Sequence, residues 1–210
     1  MTTEEKCLKL HEFFNGLPRY RYPFEHENLP ANGVYVLFEN GERYHNLDRI
    51  VLVGTNESDG RLRTRLNEHF SIRNRSCFRR KIGCALLNRD NDDFCERWND
   101  LTRLRRFQFL ECPEEERNRV DEINNRVTEV IRVNFSFAVF ILEPDLDTVE
   151  NRMDIKQKMI ATLAQSNDFV SSENWMGRCS PTPEVQNCGL WLVNFINGEI
   201  LSDDEMGLFI

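Results

Sequence analysis

GVYVLFENGERYHNLDRIVLVGTNESDGRLRTRLNEHF, residues 33–70, holds two kinds of pattern in succession. Gly33 to Phe38 and Ile50 to Val53 are compact apolar runs separated by Asn40-Gly41 and a polar segment, and they predict two strands with a hairpin-like connection. Their near-continuous apolar character, without clean alternation, predicts cover on both faces. From Arg61 the period changes. Leu62, Leu66 and Phe70 recur every four residues as the buried stripe of a helix, and Arg61, Arg65 and His69 recur beside them at the same interval. One helix thus sets guanidinium and imidazole groups on one line.

Working outward, residues 4–14 place Cys7, Leu10, Phe13 and Phe14 at helical spacing and stop at Asn15-Gly16, which predicts an N-terminal helix. A second helix is predicted over 76–87 and a third over 117–133, the latter with Val120, Ile123, Val127, Val130 and Ile131 on one side. Between them 88–116 is polar and acidic, with Trp98 and an Arg103-Leu104-Arg105-Arg106 island, and its pattern assigns no structure. Phe135 to Leu142 is the strongest strand signal in the chain, closed by Glu143-Pro144. A last helix starts near Asp147, where Asp147 and Glu150 have capping-box-like spacing, and reaches about Ala164 with Ile155, Met159 and Leu163 as its stripe. Lys156 falls on an adjoining row that otherwise faces inward, so its ammonium either snorkels or is directed into a cleft. Trp175 and Gly189 to Val193 read as packing elements of the tail.

With 210 residues and 40% hydrophobic content, the chain can bury a real core, and its length favours one domain. No apolar run approaches the roughly 18 residues of a membrane span, and the N-terminus opens with acids where a secretory signal has a basic then apolar stretch, so the expectation is a soluble cytoplasmic protein. Seven cysteines without CxxC spacing predict reduced thiols, and a zinc site from Cys77, Cys84 and His69 matches no ligand spacing. The net charge of −8 conceals an asymmetry. Residues 61–81 carry Arg61, Arg63, Arg65, Arg73, Arg75, Arg79, Arg80 and Lys81 against Glu68 alone, a local +7 that leaves −15 on the remainder. Such a patch suits phosphate, while a solvated helix pair with surplus arginine is the plainer reading.

The order β, β, α, then β and a late α, with Gly33-Val34-Tyr35 on the first strand and Leu52-Val53-Gly54 ending the second, resembles the GIY-YIG nuclease domain. Arg65-Leu66-Asn67-Glu68-His69-Phe70 is similar to that family's arginine helix, in which an Arg and a His four residues later follow the second motif by about a dozen positions. Phe135 to Phe140, Ile160-Ala161-Thr162-Leu163, Asn167, the Trp175-Met-Gly-Arg-Cys-Ser-Pro segment and Cys188-Gly-Leu-Trp191 resemble a bacterial branch of these proteins. The likeness spans roughly 30–195. It implies an α/β (α+β) fold with a small three-stranded sheet flanked by helices. An N-terminal helical extension (1–29) would precede the nuclease-like domain (30–170, with an insertion around 88–116), and a C-terminal extension (171–210) would pack on it.

The resemblance further implies hydrolysis of phosphodiester bonds in DNA. Tyr35 would be the general base or its relay, Arg65 the phosphate clamp, and His69 a helper that takes or orients a proton; Arg61, Arg63, Arg73, Arg75, Arg79, Arg80 and Lys81 would hold the backbone. The residue types suit this work, because Arg offers a fixed fork of donors that stays cationic and His titrates near neutral pH. Taken singly, Tyr35 reads as a core residue, Arg65 as a surface cation and His69 as a structural histidine; their joint order and spacing reverse that.

The family also implies Mg²⁺ or another divalent cation, and here the sequence departs from it. Leu52 stands where the motif has its second tyrosine. Lys156, three residues before Met159-Ile160, stands where the family has its metal-binding glutamate, and an ammonium coordinates no cation. Asp154 points about 200° away from position 156 on a helix, and Glu150 lies nearly two turns off, so neither replaces it. Lys156 either presents its own charge to the phosphate or marks a catalytically silent nucleic-acid binder. A protein-interaction module contacting through its acidic face is the third reading.

Overall fold

The computed structural model describes residues 1–72 and 76–209. Helix α1 (Thr3–Gly16) is closed at its start by a capping box, with the Thr2 hydroxyl accepting from the Glu5 amide and the Glu5 carboxylate accepting from the Thr2 amide. Strand β1 (Tyr20–Arg21) follows, and then β2 (Val34–Tyr44) and β3 (Leu47–Thr55) form the expected hairpin about His45, whose φ is 50°. Helices α2 (Leu62–Phe70) and α3 (Cys77–Arg89) come next, then α4 (Cys95–Arg103), α5 (Arg106–Leu110) and α6 (Glu114–Asn134). Strand β4 (Phe135–Phe140), α7 (Val149–Ala164) and the short α8 (Pro183–Cys188) complete the order.

All strand pairs are antiparallel, in the order β1-β4-β2-β3. The fold class is the expected one; the three predicted strands gain a two-residue fourth, β1, paired through Tyr20 and Phe137. The sheet is covered on both faces, as the unbroken apolar runs predict. Tyr35, Leu37, Phe135 and Phe137 pack under α2, α3 and α6 together with Trp175 and Trp191, while Val34, Val36, Phe38 and Ala138 pack under α1 and α7. Both ends of the chain therefore enter the two cores. The backbone N–H of Trp191 donates to the Val51 carbonyl at 2.9 Å, so the tail also caps the β3 edge.

Three expectations need correction. Segment 88–116 contains α4 and α5, which the pattern did not assign, because the buried residues of α4 are Trp98 and Leu101 alone. Cys84 and Cys95 form a disulfide where reduced thiols were expected: Trp98 lies flat on Gly83, where a Cβ would come within 2.1 Å of its ring, and this packing of α4 on α3 brings the two cysteine Cα atoms to 5.1 Å. The cap of α7 is Thr148, accepting from the Asn151 amide, while Asp147 instead receives the buried Arg152 guanidinium.

Candidate active site

The site grows from one close approach in the sheet. Tyr35 and Gly54 are directly opposite on β2 and β3, and the phenol lies across Gly54 so tightly that a Cβ there would sit 2.4 Å from Oη. Only glycine admits the ring. Tyr35 is fully buried, and its Oη is 2.7 Å from His69 Nε2, one turn beyond Arg65 on α2. The other imidazole nitrogen, Nδ1, is 3.3 Å from the Ser76 hydroxyl, which also caps α3 by accepting from the Arg79 amide. A hydrogen-bonded chain thus runs Ser76, His69, Tyr35, with each ring held by its neighbours.

Electrostatics fix the protonation states. Burial pushes the Tyr35 hydroxyl up to about 12, against the opposing charge of Arg65. Burial, helped by the cationic Arg65 and Arg79, holds His69 well below its ordinary value, so the imidazole is neutral. A neutral ring has one N–H and one lone pair, and can therefore accept a hydrogen bond from the Tyr35 hydroxyl and orient the phenol. Burial works against the charge of Arg65, yet the Tyr35 oxygen and the Glu68 carboxylate, 2.9 Å from Arg65 Nη1, offset it, so Arg65 stays cationic beside the phenol.

Helix α7 carries Lys156, whose Nζ lies 3.9 Å from Met153 Sδ and 5.6 Å from the centre of the Phe195 ring. Burial lowers the pKa of this ammonium, the Glu57 carboxylate of the loop after β3 opposing that shift and the Arg65 charge adding to it. That loop is fixed at both ends. Asn56 donates to the Asn32 side chain at 2.9 Å, and Asp59 pairs with Arg152 one turn before Lys156. Lys156 is thus partly buried and within the electrostatic reach of Arg65 and Glu57.

Of the remaining predicted residues, Arg61 and Arg63 are exposed at the start of α2, although Arg63 Nε also donates to the Leu29 carbonyl at 2.8 Å. Arg80 and Lys81 are partly exposed on α3. Arg73 and Arg75 lie outside the described residues. Arg79 is corrected from a surface cation to a buried one: its guanidinium donates to the carbonyls of His69 and Asn124 and to the Thr128 hydroxyl, tying α2 to α6. Sequence reasoning missed Glu57 and Ser76. Ser76 had a signal, a serine just before an apolar helix; Glu57 sits in a loop without period and had none.

The GIY-YIG domain model matches residues 8–206, and the chain belongs to this family. No curated protein and no solved structure matches it. Membership gives a nuclease-type function and nucleic acid as the partner class, in a family that generally uses divalent metals. The residues here do not fit such an ion. Lys156 and Arg65 are cationic, Glu68 is engaged by Arg65, and no group of three potential metal-ligating side chains occurs among the described residues. Nor is any helix among them long and apolar enough to cross a membrane.

Proposed function

We propose that the chain is an endonuclease hydrolysing phosphodiester bonds in DNA, in which Lys156 supplies the positive charge that relatives take from a divalent cation. The observation that carries this reading is the joining of Tyr35, His69 and Arg65, with Tyr35 Oη 2.7 Å from His69 Nε2, and the reach of the Arg65 charge to Lys156. Residues 30–170 would carry the chemistry, with 1–29 and 171–210 as packed extensions. Hydrolysis needs a group to take the proton of water and cations where charge develops on phosphate oxygen. Tyr35 relays that proton, its phenol aligned by the neutral His69 that Ser76 orients. Arg65 holds the phosphate with its fork of donors, and the Lys156 ammonium faces the oxygen that leaves. Arg61, Arg63, Arg80 and Lys81 bind flanking phosphates.

Lys156 also favours a second reading, a catalytically silent DNA-binding protein on the same fold, since the position lacks the carboxylate of active relatives. Nicking of supercoiled plasmid in EDTA separates the two. The enzyme reading expects nicking that chelation does not remove, together with a loss of about 10²–10³ in Arg65→Ala. The silent reading expects DNA binding with no cut under any condition.

A further inference from the structure

Resting on the nuclease reading, one feature of the sequence is left unused by the catalytic site. Arg103-Leu104-Arg105-Arg106-Phe107-Gln108-Phe109-Leu110 interleaves guanidinium groups with aromatic rings. Arg103, Arg105 and Arg106 are exposed and make no ion pair among the described residues, although the chain is rich in acids. Phe107 is 57% exposed beside them. Between this segment and α6 opens a groove of about 580 Å³ lined by Phe109, Leu104 and Val120 and by the polar side chains of Asp121, Asn124 and Asn125. It continues through Ile72 and Asn125 into a second hollow of about 440 Å³ lined by Tyr22, Glu129 and Arg132, with the Arg132 guanidinium 4.0 Å over the Tyr22 ring. Four of the ten large hydrophobic side chains left exposed among the described residues (Tyr22, Ile72, Leu110 and Val133) line this track, and Phe107, a fifth, adjoins Arg106 of its lining in the chain. An exposed apolar patch rimmed by polar side chains marks an interaction surface.

We propose that this track takes up an unpaired nucleic-acid strand, so that the substrate is a duplex with a single-stranded branch. Proteins that hold single strands combine a cationic margin for phosphate with aromatic faces on which bases stack. Arg103, Arg105 and Arg106 give the margin here, and Phe107 gives the exposed face. The groove is of a size that accepts a base, and its amides and carboxylate offer donors and acceptors to base edges, with Asp121 suited to an exocyclic amine. An apolar helix from a protein partner would leave the arginines and the amides without matching groups. Arg79 connects the track to the catalytic helix, since the same guanidinium holds the carbonyls of His69 and of Asn124, which lines the groove. A strand in the groove is therefore placed at a set distance from Tyr35 and Arg65.

The test is fluorescence anisotropy with the full chain in EDTA, using a labelled blunt duplex, the same duplex with a single-stranded extension, and one whose extension is abasic. The extension is expected to tighten binding about fivefold or more. That gain disappears when the extension is abasic, and again in Phe107→Ala and in Arg105→Ala/Arg106→Ala, all of them exposed side chains whose removal leaves the circular dichroism and melting temperature unchanged. Blunt-duplex binding is unaffected by these variants and weakened by Arg61→Ala/Arg63→Ala. If the extension adds nothing, or its gain survives the variants, this inference fails while the nuclease reading stands, and the groove is left for a protein partner. If the blunt duplex itself is not bound, the nuclease reading fails and takes this one with it.

Discussion

Tyr35 and Gly54 show how much a single missing methyl group decides. Gly54→Ala would place a Cβ 2.3 Å from Tyr35 Cζ, and the phenol would have to leave His69 or the strands would have to part. The expected cost is about 1–3 kcal/mol of stability by urea unfolding, with activity falling further than stability does. Tyr35→Phe keeps the packing but deprives buried His69 Nε2 of its 2.7 Å partner, for about 1–3 kcal/mol and the loss of cleavage. Arg65→Ala removes a half-exposed ion pair with Glu68 and is expected to change the melting temperature little, since such pairs contribute about 0–1 kcal/mol. A large rate effect with small stability effect at Arg65, against the reverse at Arg79, is the pattern that separates a group facing substrate from one holding the frame. At this scale the sequence was informative where a motif's order and spacing carried the residue, as for Tyr35, Arg65, His69 and Lys156. Glu57 was invisible because its position depends on Asn32 and Arg152, far away along the chain.

Among elements, the joint between the β2–β3 hairpin and the C-terminal segment is the most polar part of the core. The indole N–H groups of Trp175 and Trp191 both donate to Glu39 Oε2, at 2.8 and 2.9 Å, and the adjacent Glu42 receives Arg49 at 3.0 and 2.7 Å. Burial raises Glu39 to about 7, the two indoles and Arg49 opposing it and the nearby Glu42 adding to it. The folded pKa then lies above the unfolded one near 4.5, so the folded state binds more protons in that window, and the contribution of Glu39 is present at low pH and lost as pH rises toward 7. His11, driven to about 3 by burial, and the neutral His69 act in the opposite sense, losing stability as pH falls below 6.5. Subtracting one protein from the other isolates Glu39. Glu39→Gln, whose amide oxygen still accepts from an indole, should gain on the parent chain between pH 5 and pH 8 in thermal melts; parallel curves would contradict the assignment. None of this was legible in sequence beyond the two tryptophans as packing elements, because their carboxylate partner is 136 and 152 residues away. The helices with a full apolar stripe, α1, α2, α6 and α7, were legible at once. Helix α4 was not, since Trp98 finds its place only against Gly83 and beside the Cys84–Cys95 bond.

Over the described residues of the basic stretch, Arg61 and Arg63 stay exposed and Arg65, Arg80 and Lys81 partly exposed, while Arg79 withdraws into the interior. On the proposed reading, the exposed arginines at the start of α2 would carry the phosphate contacts. Arg61→Ala and Arg63→Ala should each reduce the slope of log K against log salt by about 0.9 on duplex DNA, whereas Arg79→Ala should leave the slope alone and lower the melting temperature. The central claim is that Lys156 completes a nuclease site whose family relatives generally use a divalent metal. The most direct test is nicking of supercoiled plasmid by the chain as it stands and by Lys156→Glu, each with Mg²⁺ and with EDTA. The native chain is expected to nick in EDTA, and Lys156→Glu to lose this metal-independent cut. Cutting by the Glu form alone, and only with Mg²⁺, would contradict it and make the native chain a binder disabled at a single ligand.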